Sequence, residues 1–318
     1  MIDGRTRLIG LMGWPVEHSF SPQMHNAAFA ALGLNWQYVP LPVPPGQVME
    51  AVRGLAALGF RGANVTVPHK QAVLSALTDL DPDAEAVGAV NTLVIEYTDR
   101  TEHTEHTKRP TDAALRVMGY NTDVQGFVDA LRWGGFALGA ARQVVVVGAG
   151  GAARAVVYGL LQTTAATITV LNRSPERAER LVVDLGARLS AHGQVPGRTF
   201  ARLQADVLDP ATLVASAQDA DLLVNATTVG MGPHADHNDG TIWPTDVPLP
   251  AHLTVCDLVY NPPVTMLLRQ ARQAGATTIG GIGMLVAQGA RAFEHWTGLA
   301  APVAVMWAAC ASSLSDDG

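Results

Sequence analysis

Apolar and polar positions alternate along this chain in two rhythms. Short apolar runs rich in valine, leucine and isoleucine read as strands, and longer stretches with apolar positions every three or four residues read as helices. Strands are predicted over Arg7 to Gly13, Trp36 to Leu41, Gly62 to Val67, Leu93 to Tyr97 and Val117 to Asn121. Later come the four valines 144–147, then Thr167 to Leu171, Asp221 to Thr227, Thr254 to Leu258 and Thr277 to Ile279. Helices are predicted after Pro22, over Gln47 to Leu58, Gln71 to Ala76, Val124 to Trp133, after the valines, and over Pro175 to Leu185. Four more cover Pro210 to Ser216, Met266 to Ala274, Gln288 to Trp296 and Val303 to Leu314. Strand–helix alternation predicts parallel α/β sheets. Polar stretches without periodicity, Arg100 to Asp112, His192 to Arg198 and His234 to Gly240, read as loops, the first as a long mobile hairpin tip. His103 and His106 in that tip are read as solvated rather than as metal ligands.

The valine run enters a glycine turn, Gly148-x-Gly150-x-x-Ala153, followed by a helix of small residues. The first glycine suits a tight turn, the second lets a backbone approach a pyrophosphate, and the small third residue lets helix pack on strand. The free N–H groups of the helix N-terminus then favour phosphate. A plain βα turn is the alternative, but the strand before, the helix after and a second strand about 20 residues on favour a nucleotide. At the tip of that second strand stand Asn172, Arg173 and Ser174, then Arg177. No carboxylate stands there to take a ribose hydroxyl, and two guanidiniums there suit a 2′-phosphate, so the cofactor expected is NADP rather than NAD. The competing reading makes Arg177 a solvated residue paired with a nearby acid.

Two further places carry chemistry. His18-Ser19-Phe20-Ser21 leads into a helix with Pro22 in its first turn and Gly33 closing it. Ser21 is expected as N-cap, and the serine pair at a helix N-terminus forms a carboxylate site. Lys70 stands where a strand ends and a helix begins, the place where α/β sheets put ligands, although a plain surface lysine fits equally well. His69 is read as structural.

With 318 residues, 48% hydrophobic, the chain is long enough for two cores. A net charge of −7 argues against a nucleic-acid partner. The absence of a long apolar run argues against a membrane span, and a soluble cytoplasmic protein is expected. Cys256 and Cys310 are expected as buried free thiols.

Eight blocks occur in one order: Ser19-Phe20-Ser21-Pro22, Asn64 to Lys70, Gly88 to Thr92, Asn121-Thr122-Asp123, the glycine turn, Asn172-Arg173-Ser174, Asn225-Ala226-Thr227, and Gly283-Met284-Leu285-Val286-x-Gln288. In these the chain resembles the shikimate dehydrogenase family over nearly its whole length. The resemblance implies two α/β domains flanking a cleft, the C-terminal one a Rossmann-like doubly wound parallel sheet. Residues 1–122 with 281–318 would form the substrate domain and 123–280 the NADP domain. It implies reversible NADPH-dependent reduction of 3-dehydroshikimate to shikimate, in aromatic amino-acid biosynthesis. Ser19, Ser21 and Tyr260 would hold the substrate carboxylate; Thr66, Lys70, Asn91, Asp123 and Gln288 would meet its ring hydroxyls. Gly148, Ala149, Gly150, Gly151 and Ala152 would take the pyrophosphate, and Asn172, Arg173, Ser174 and Arg177 the 2′-phosphate. Leu258 and Gly281 would lie near the nicotinamide end, and Thr227 completes the cofactor set. A homodimer is left open, and no metal is expected.

Hydride transfer to a ketone needs a proton donor, which Lys70 beside Asp123 supplies. Either residue can move the proton, and the pair titrates as one unit. Val124 stands where the family often has glycine and is expected to adjust the cleft wall. The segment from Tyr97 to Met118 is longer than usual. Three rivals remain. Quinate is the related substrate. Methylenetetrahydrofolate dehydrogenase shares the architecture but gives no reason for the serine pair. A non-catalytic NADPH-binding regulator would lack Lys70 or Asp123.

Overall fold

A computed structural model describes residues 2–98, 114–140, 143–163, 167–191, 202–232 and 240–312. Two six-stranded sheets, each with its own apolar core, face one another across a cleft. Three of the expected loops, Arg100 to Asp112, His192 to Arg198 and nearly all of His234 to Gly240, lie outside the described residues, and His103 and His106 with them.

The first sheet is built from β1 (Arg7–Gly13), β2 (Trp36–Pro42), β3 (Gly62–Val65), β4 (Asp79–Leu80), β5 (Thr92–Thr98) and β6 (Ala114–Tyr120), in the order β2-β1-β3-β5-β6-β4. β1 runs parallel to β2 and β3. β5 runs antiparallel to both β3 and β6, so this sheet is mixed, and the expectation of parallel strands throughout does not hold here. The β5–β6 pairing is the predicted hairpin. α1 (Ser21–Ala31), α2 (Val48–Ala57) and α3 (Pro82–Val87) join the early strands. The stretch expected as a helix after Gln71 is a single 3-10 turn, Ala72–Ala76.

The second sheet comprises β7 (Gln143–Val147), β8 (Thr167–Asn172), β9 (Leu203–Val207), β10 (Leu222–Asn225), β11 (Thr254–Asp257) and β12 (Thr277–Ile279). Its order is β12-β11-β10-β7-β8-β9 and every pairing is parallel. That is the doubly wound arrangement, whose ligand crevice opens where the winding reverses, here between β7 and β10. α4 (Asp123–Trp133) enters this half; α5 (Gly151–Thr163), α6 (Pro175–Ala191), α7 (Pro210–Ala217) and α8 (Met266–Gln273) connect its strands. The valines of β7 are buried on both faces, as a central parallel strand requires.

α9 (Ile282–Thr297) and α10 (Val303–Ser312) return to the first half. Leu285, Phe293, Trp296, Met306 and Cys310 share a core with Ile9, Leu11 and Met24. Met284, one residue earlier on α9, belongs to the core of the second half. α9 therefore spans both cores, and Arg291 Nη2 ties it to Asp129 Oδ2 of α4 at 2.7 Å. Cys256 and Cys310 are buried free thiols, as expected. No helix among the described residues is long and apolar enough to cross a membrane.

Candidate functional site

The cleft between the sheets has a volume of about 280 Å³. Ser19, Ser21, Thr66, Lys70, Asn91, Asp123, Ala152, Thr227, Leu258, Tyr260, Gly281 and Gln288 all line it. At its floor Lys70 Nζ donates to Asp123 Oδ2 at 2.6 Å, and Asn91 Nδ2 donates to Asp123 Oδ1 at 2.8 Å. Asp123 is the first residue of α4, where a helix N-terminus favours negative charge. Its side chain is 5% exposed, so a partner on each oxygen offsets the cost of burying the carboxylate. Lys70 is 15% exposed and spends one of its three donors on Asp123, which leaves donors facing the cleft.

Asn91 is held in turn. Its Oδ1 accepts from the Thr122 N–H at 2.8 Å, and its Nδ2 lies 2.9 Å from Thr122 Oγ1 and 3.3 Å from Gln288 Oε1. Behind it, Tyr38 donates to Asn64 Oδ1 at 2.8 Å, and Asn64 Nδ2 reaches the Asn91 carbonyl at 3.1 Å. Burial raises the Tyr38 phenol well above its usual pKa, and the facing Ser21 side chain opposes the rise. His69 is buried with Nε2 2.6 Å from the Val43 carbonyl, the structural role expected for it.

The helix entry differs from the sequence expectation. α1 begins at Ser21 itself, Phe20 stands at the cap position, and no side chain caps it there. Ser19 is the serine that serves the helix backbone, its Oγ accepting from the Ser21 N–H at 3.3 Å. The cap is set by backbone conformation, which a serine–proline pair alone does not fix. Tyr260 packs against Phe20 with ring centroids 5.4 Å apart. Its phenol is raised by burial and held down in part by Ser19.

The glycine turn takes the shape its spacing implies. Gly148 adopts φ +117°, and a Cβ there would stand 3.0 Å from the Ala226 carbonyl oxygen. Gly150 faces open space, leaving room for a ligand against the backbone. A Cβ on Gly151 would lie 2.9 Å from Lys70 Cβ, so the turn closes directly onto the lysine stem. Thr227 follows β10 and donates through Oγ1 to Asn225 Oδ1 at 2.7 Å. Gly281 fits only as glycine: a Cβ would stand 2.4 Å from the Leu258 carbonyl oxygen.

Asn172, Arg173, Ser174 and Arg177 are not part of the cleft lining. They stand one strand over, at the tip of β8, and Asn172 Nδ2 donates to the Ser174 carbonyl at 2.9 Å. Arg173 and Arg177 are exposed, and among the described residues neither has an ion-pair partner. The alternative of Arg177 paired with an acid is thereby not met. Val124 does not line the cleft as expected. It is fully buried with Val87, Ala89, Ala155 and Tyr158 where α3, α4 and α5 meet.

Sequence reasoning passed over Tyr38, Thr122 and Asp257. Asp257 is fully buried at the end of β11. It accepts from Thr265 Oγ1 at 2.6 Å, Asn225 Nδ2 at 2.9 Å and the Val259 N–H at 3.1 Å, fixing the loop that carries Leu258 and Tyr260. Burial pushes its carboxyl up to about 6 against the pull of those donors. The only sequence signal was a lone acid closing an apolar strand.

Three family descriptions match the chain. They are the shikimate dehydrogenase substrate binding domain over residues 11–93, shikimate / quinate 5-dehydrogenase over 136–239, and the shikimate 5'-dehydrogenase C-terminal domain over 281–310. A shikimate dehydrogenase (NADP(+)) of Methanopyrus kandleri is 44% identical over 305 residues, covering 96% of this chain and 95% of its own. A solved shikimate dehydrogenase in complex with NADP+ superposes with a TM-score of 0.80 at 37% identity, covering 99% of this chain and 98% of the other. A shikimate 5-dehydrogenase from Listeria monocytogenes, in complex with shikimate and NAD, gives 0.77 at 34%, covering 96% of each chain. The chain belongs to the shikimate dehydrogenase family.

Proposed function

We propose that this protein interconverts shikimate and 3-dehydroshikimate, using NADP(H), as the shikimate-dehydrogenase step of aromatic amino-acid biosynthesis. The observation that carries the reading is the Lys70–Asp123 pair in a cleft lined by hydroxyl and amide groups, with the glycine turn closing onto the Lys70 stem. NADP(H), when bound, supplies or accepts the hydride. The residues present suit it: an open Gly150, the N-terminus of α5, and, beside the next strand tip, two guanidiniums without an ion-pair partner among the described residues. Gly148 to Ala152 would hold the pyrophosphate; Asn172, Arg173, Ser174 and Arg177 the 2′-phosphate; Thr227, Leu258 and Gly281 the nicotinamide end.

In the reductive direction Lys70 gives a proton to the carbonyl oxygen as it becomes an alcohol; in the oxidative direction the amine takes it back. Both Asp123 oxygens are engaged, so Asp123 orients the lysine. Asn91, Thr66 and Gln288 read ring hydroxyls. Ser19, Ser21 and Tyr260 take the carboxylate at the positive end of α1. Residues 1–122 with 281–318 form the substrate domain and 123–280 the cofactor domain, with Asp123 and Tyr260 reaching the substrate from the second and Gly281 the cofactor from the first. A cytoplasmic location and a homodimer belong to the same proposal. The test is direct: purified protein with shikimate and NADP+ should generate reduced-nicotinamide absorbance, and an inert protein would refute the reading.

Two predictions belong with the geometry. Arg173→Ala should weaken NADP+ binding by roughly ten- to a hundredfold, since a charge-assisted bond contributes about 1.5–3 kcal/mol. NAD+ should bind as before; KM for both cofactors on parent and variant reads this out, and an equal rise for NAD+ would contradict it. Ser19→Ala and Ser21→Ala should both raise the shikimate KM. Each should also lower stability by about 1 kcal/mol, Ser19→Ala by removing the acceptor of the Ser21 N–H and Ser21→Ala by removing the partner of the buried Tyr38 phenol. Unchanged thermal melts for both variants would contradict it.

A further inference from the structure

Arg154 has no part in the chemistry above, yet its side chain is only 4% exposed. It lies in the first turn of α5, near the positive end of that helix, and burial lowers its pKa from the usual guanidinium value. Placing a cation there is costly unless it is well partnered. Its first partner belongs to the other half of the molecule. Arg154 Nε donates to the carbonyl of Val87, the last residue of α3, at 2.6 Å. Nη2 meets Asp184 Oδ2 of α6 at 2.8 Å. Alongside, Arg188 Nη1 donates to the Glu85 carbonyl at 2.6 Å and Tyr158 donates to Asp83 Oδ1 at 3.1 Å. Helices α5 and α6 thus grip short α3 at three points.

The gripped segment leads straight into the site. Gly88 follows α3 with φ +66°, and a Cβ there would stand 2.9 Å from Arg154 Nη2, so the glycine makes room for the guanidinium. Two residues on, the Val90 N–H donates to the Lys70 carbonyl at 2.8 Å, and Asn91 comes next. At the start of α5, Gly151 abuts the Lys70 stem. One helix therefore carries the phosphate-binding turn and holds the segment that positions Lys70 and Asn91.

We infer that Arg154 is a positioning residue: through the Val87 carbonyl it fixes the register between the α5 turn and the Lys70–Asn91 segment. It thereby sets the approach of nicotinamide to the reacting carbon. This rests on the proposed function. Arg154 is not part of the cleft lining, so it acts through the segments it holds.

Three variants of the full chain test it: Arg154→Met, Arg154→Lys and Asp184→Asn. The last removes one charge from a half-exposed partner, so it reads the same link even where Arg154→Met does not fold. For Arg154→Met, kcat per folded protein should fall roughly ten- to a hundredfold, because a small misplacement of reacting groups is expensive. KM for shikimate and NADP+ should stay within about threefold. The deuterium isotope effect on kcat, with shikimate labelled at the oxidised carbon, should rise as hydride transfer becomes slower. Arg154→Lys should recover part of kcat, and Asp184→Asn should show a smaller fall in the same direction. Parental kcat and isotope effect in all the folded variants, with only lowered melting temperatures, would make Arg154 scaffold and overturn the inference. A large rise in the NADP+ KM with kcat unchanged would overturn it too, by making Arg154 a cofactor ligand. A parent without shikimate oxidation would instead overturn the functional reading.

Discussion

Replacing Lys70 by alanine is expected to lower kcat by roughly 10²–10⁴-fold, the usual contribution of a positioned acid or base. The geometry supports the large end. Lys70 keeps two donors beyond the one it gives Asp123, whereas Asp123 already accepts on both oxygens. KM for shikimate should move less, because the serines, Tyr260 and Asn91 remain in the cleft. The variant also leaves Asp123 without its cation at 5% exposure, so a lowered melting temperature should accompany the kinetic loss. Rates must therefore be taken per folded protein, by circular dichroism alongside the assay. A variant within a few-fold of the parental kcat would remove Lys70 from the proton-transfer role.

The second large effect is on stability in acid. His25 is fully buried on α1, and among the described residues neither ring nitrogen has a hydrogen-bond partner. Its neighbours are aromatic: the Tyr38 ring stacks at 4.6 Å, Trp296 lies at 5.2 Å and Phe29 at 6.3 Å. Burial pushes its pKa down to about 3, far below the usual imidazole range. Above pH ~6.5 the imidazole is neutral whether the chain is folded or not, and the fold loses nothing. Below that, the unfolded chain takes up a proton that the folded chain refuses, and stability falls by about 1.4 kcal/mol per pH unit until the folded value is reached. Between pH ~6.5 and ~4.5 the parent should lose roughly 3 kcal/mol from this group alone. His25→Leu removes the titration and should flatten that part of the curve, whatever its own effect at neutral pH. Denaturant unfolding of both proteins across this range measures it. Parallel curves would show that His25 is not the acid-sensitive group.

Much of the fold was legible because its signals are local. The valines of β7, the glycines after them and the strand beginning at Thr167 are read from neighbouring residues, and they lie where expected. What escaped notice was short or depended on distant partners. β4 has two residues and α3 six, too few to leave a periodic signal. β9 is a half-buried edge strand without a clean apolar run. The antiparallel setting of β5 against β3 is a matter of how the chain returns to the sheet, which the composition of the strand does not record.

The candidate site divides in the same way. Lys70 and Asp123 are 53 positions apart, and no spacing rule joins them; the family resemblance did. Ser21 was given the cap that the backbone assigns no side chain, because residue type suggests a cap while torsion angles decide it. Asn64, Tyr38 and Asp257 are polar residues inside apolar strands or at their ends. From sequence none of them is given a role, although Asn64 opens one of the eight blocks. In three dimensions they are the supports behind Asn91, Ser21 and the Tyr260 loop. Arg154 is hardest to read, since its main partner belongs to the other half of the molecule, 67 positions earlier.

The central claim is a pairing of one substrate with one cofactor. The most direct test is kcat/KM measured in four combinations: shikimate or quinate, each with NADP+ or NAD+. The account predicts that shikimate with NADP+ has the highest value, with a loss of roughly tenfold or more on changing to NAD+, the 2′-phosphate contacts being the difference. A highest value for quinate with NAD+ would contradict it.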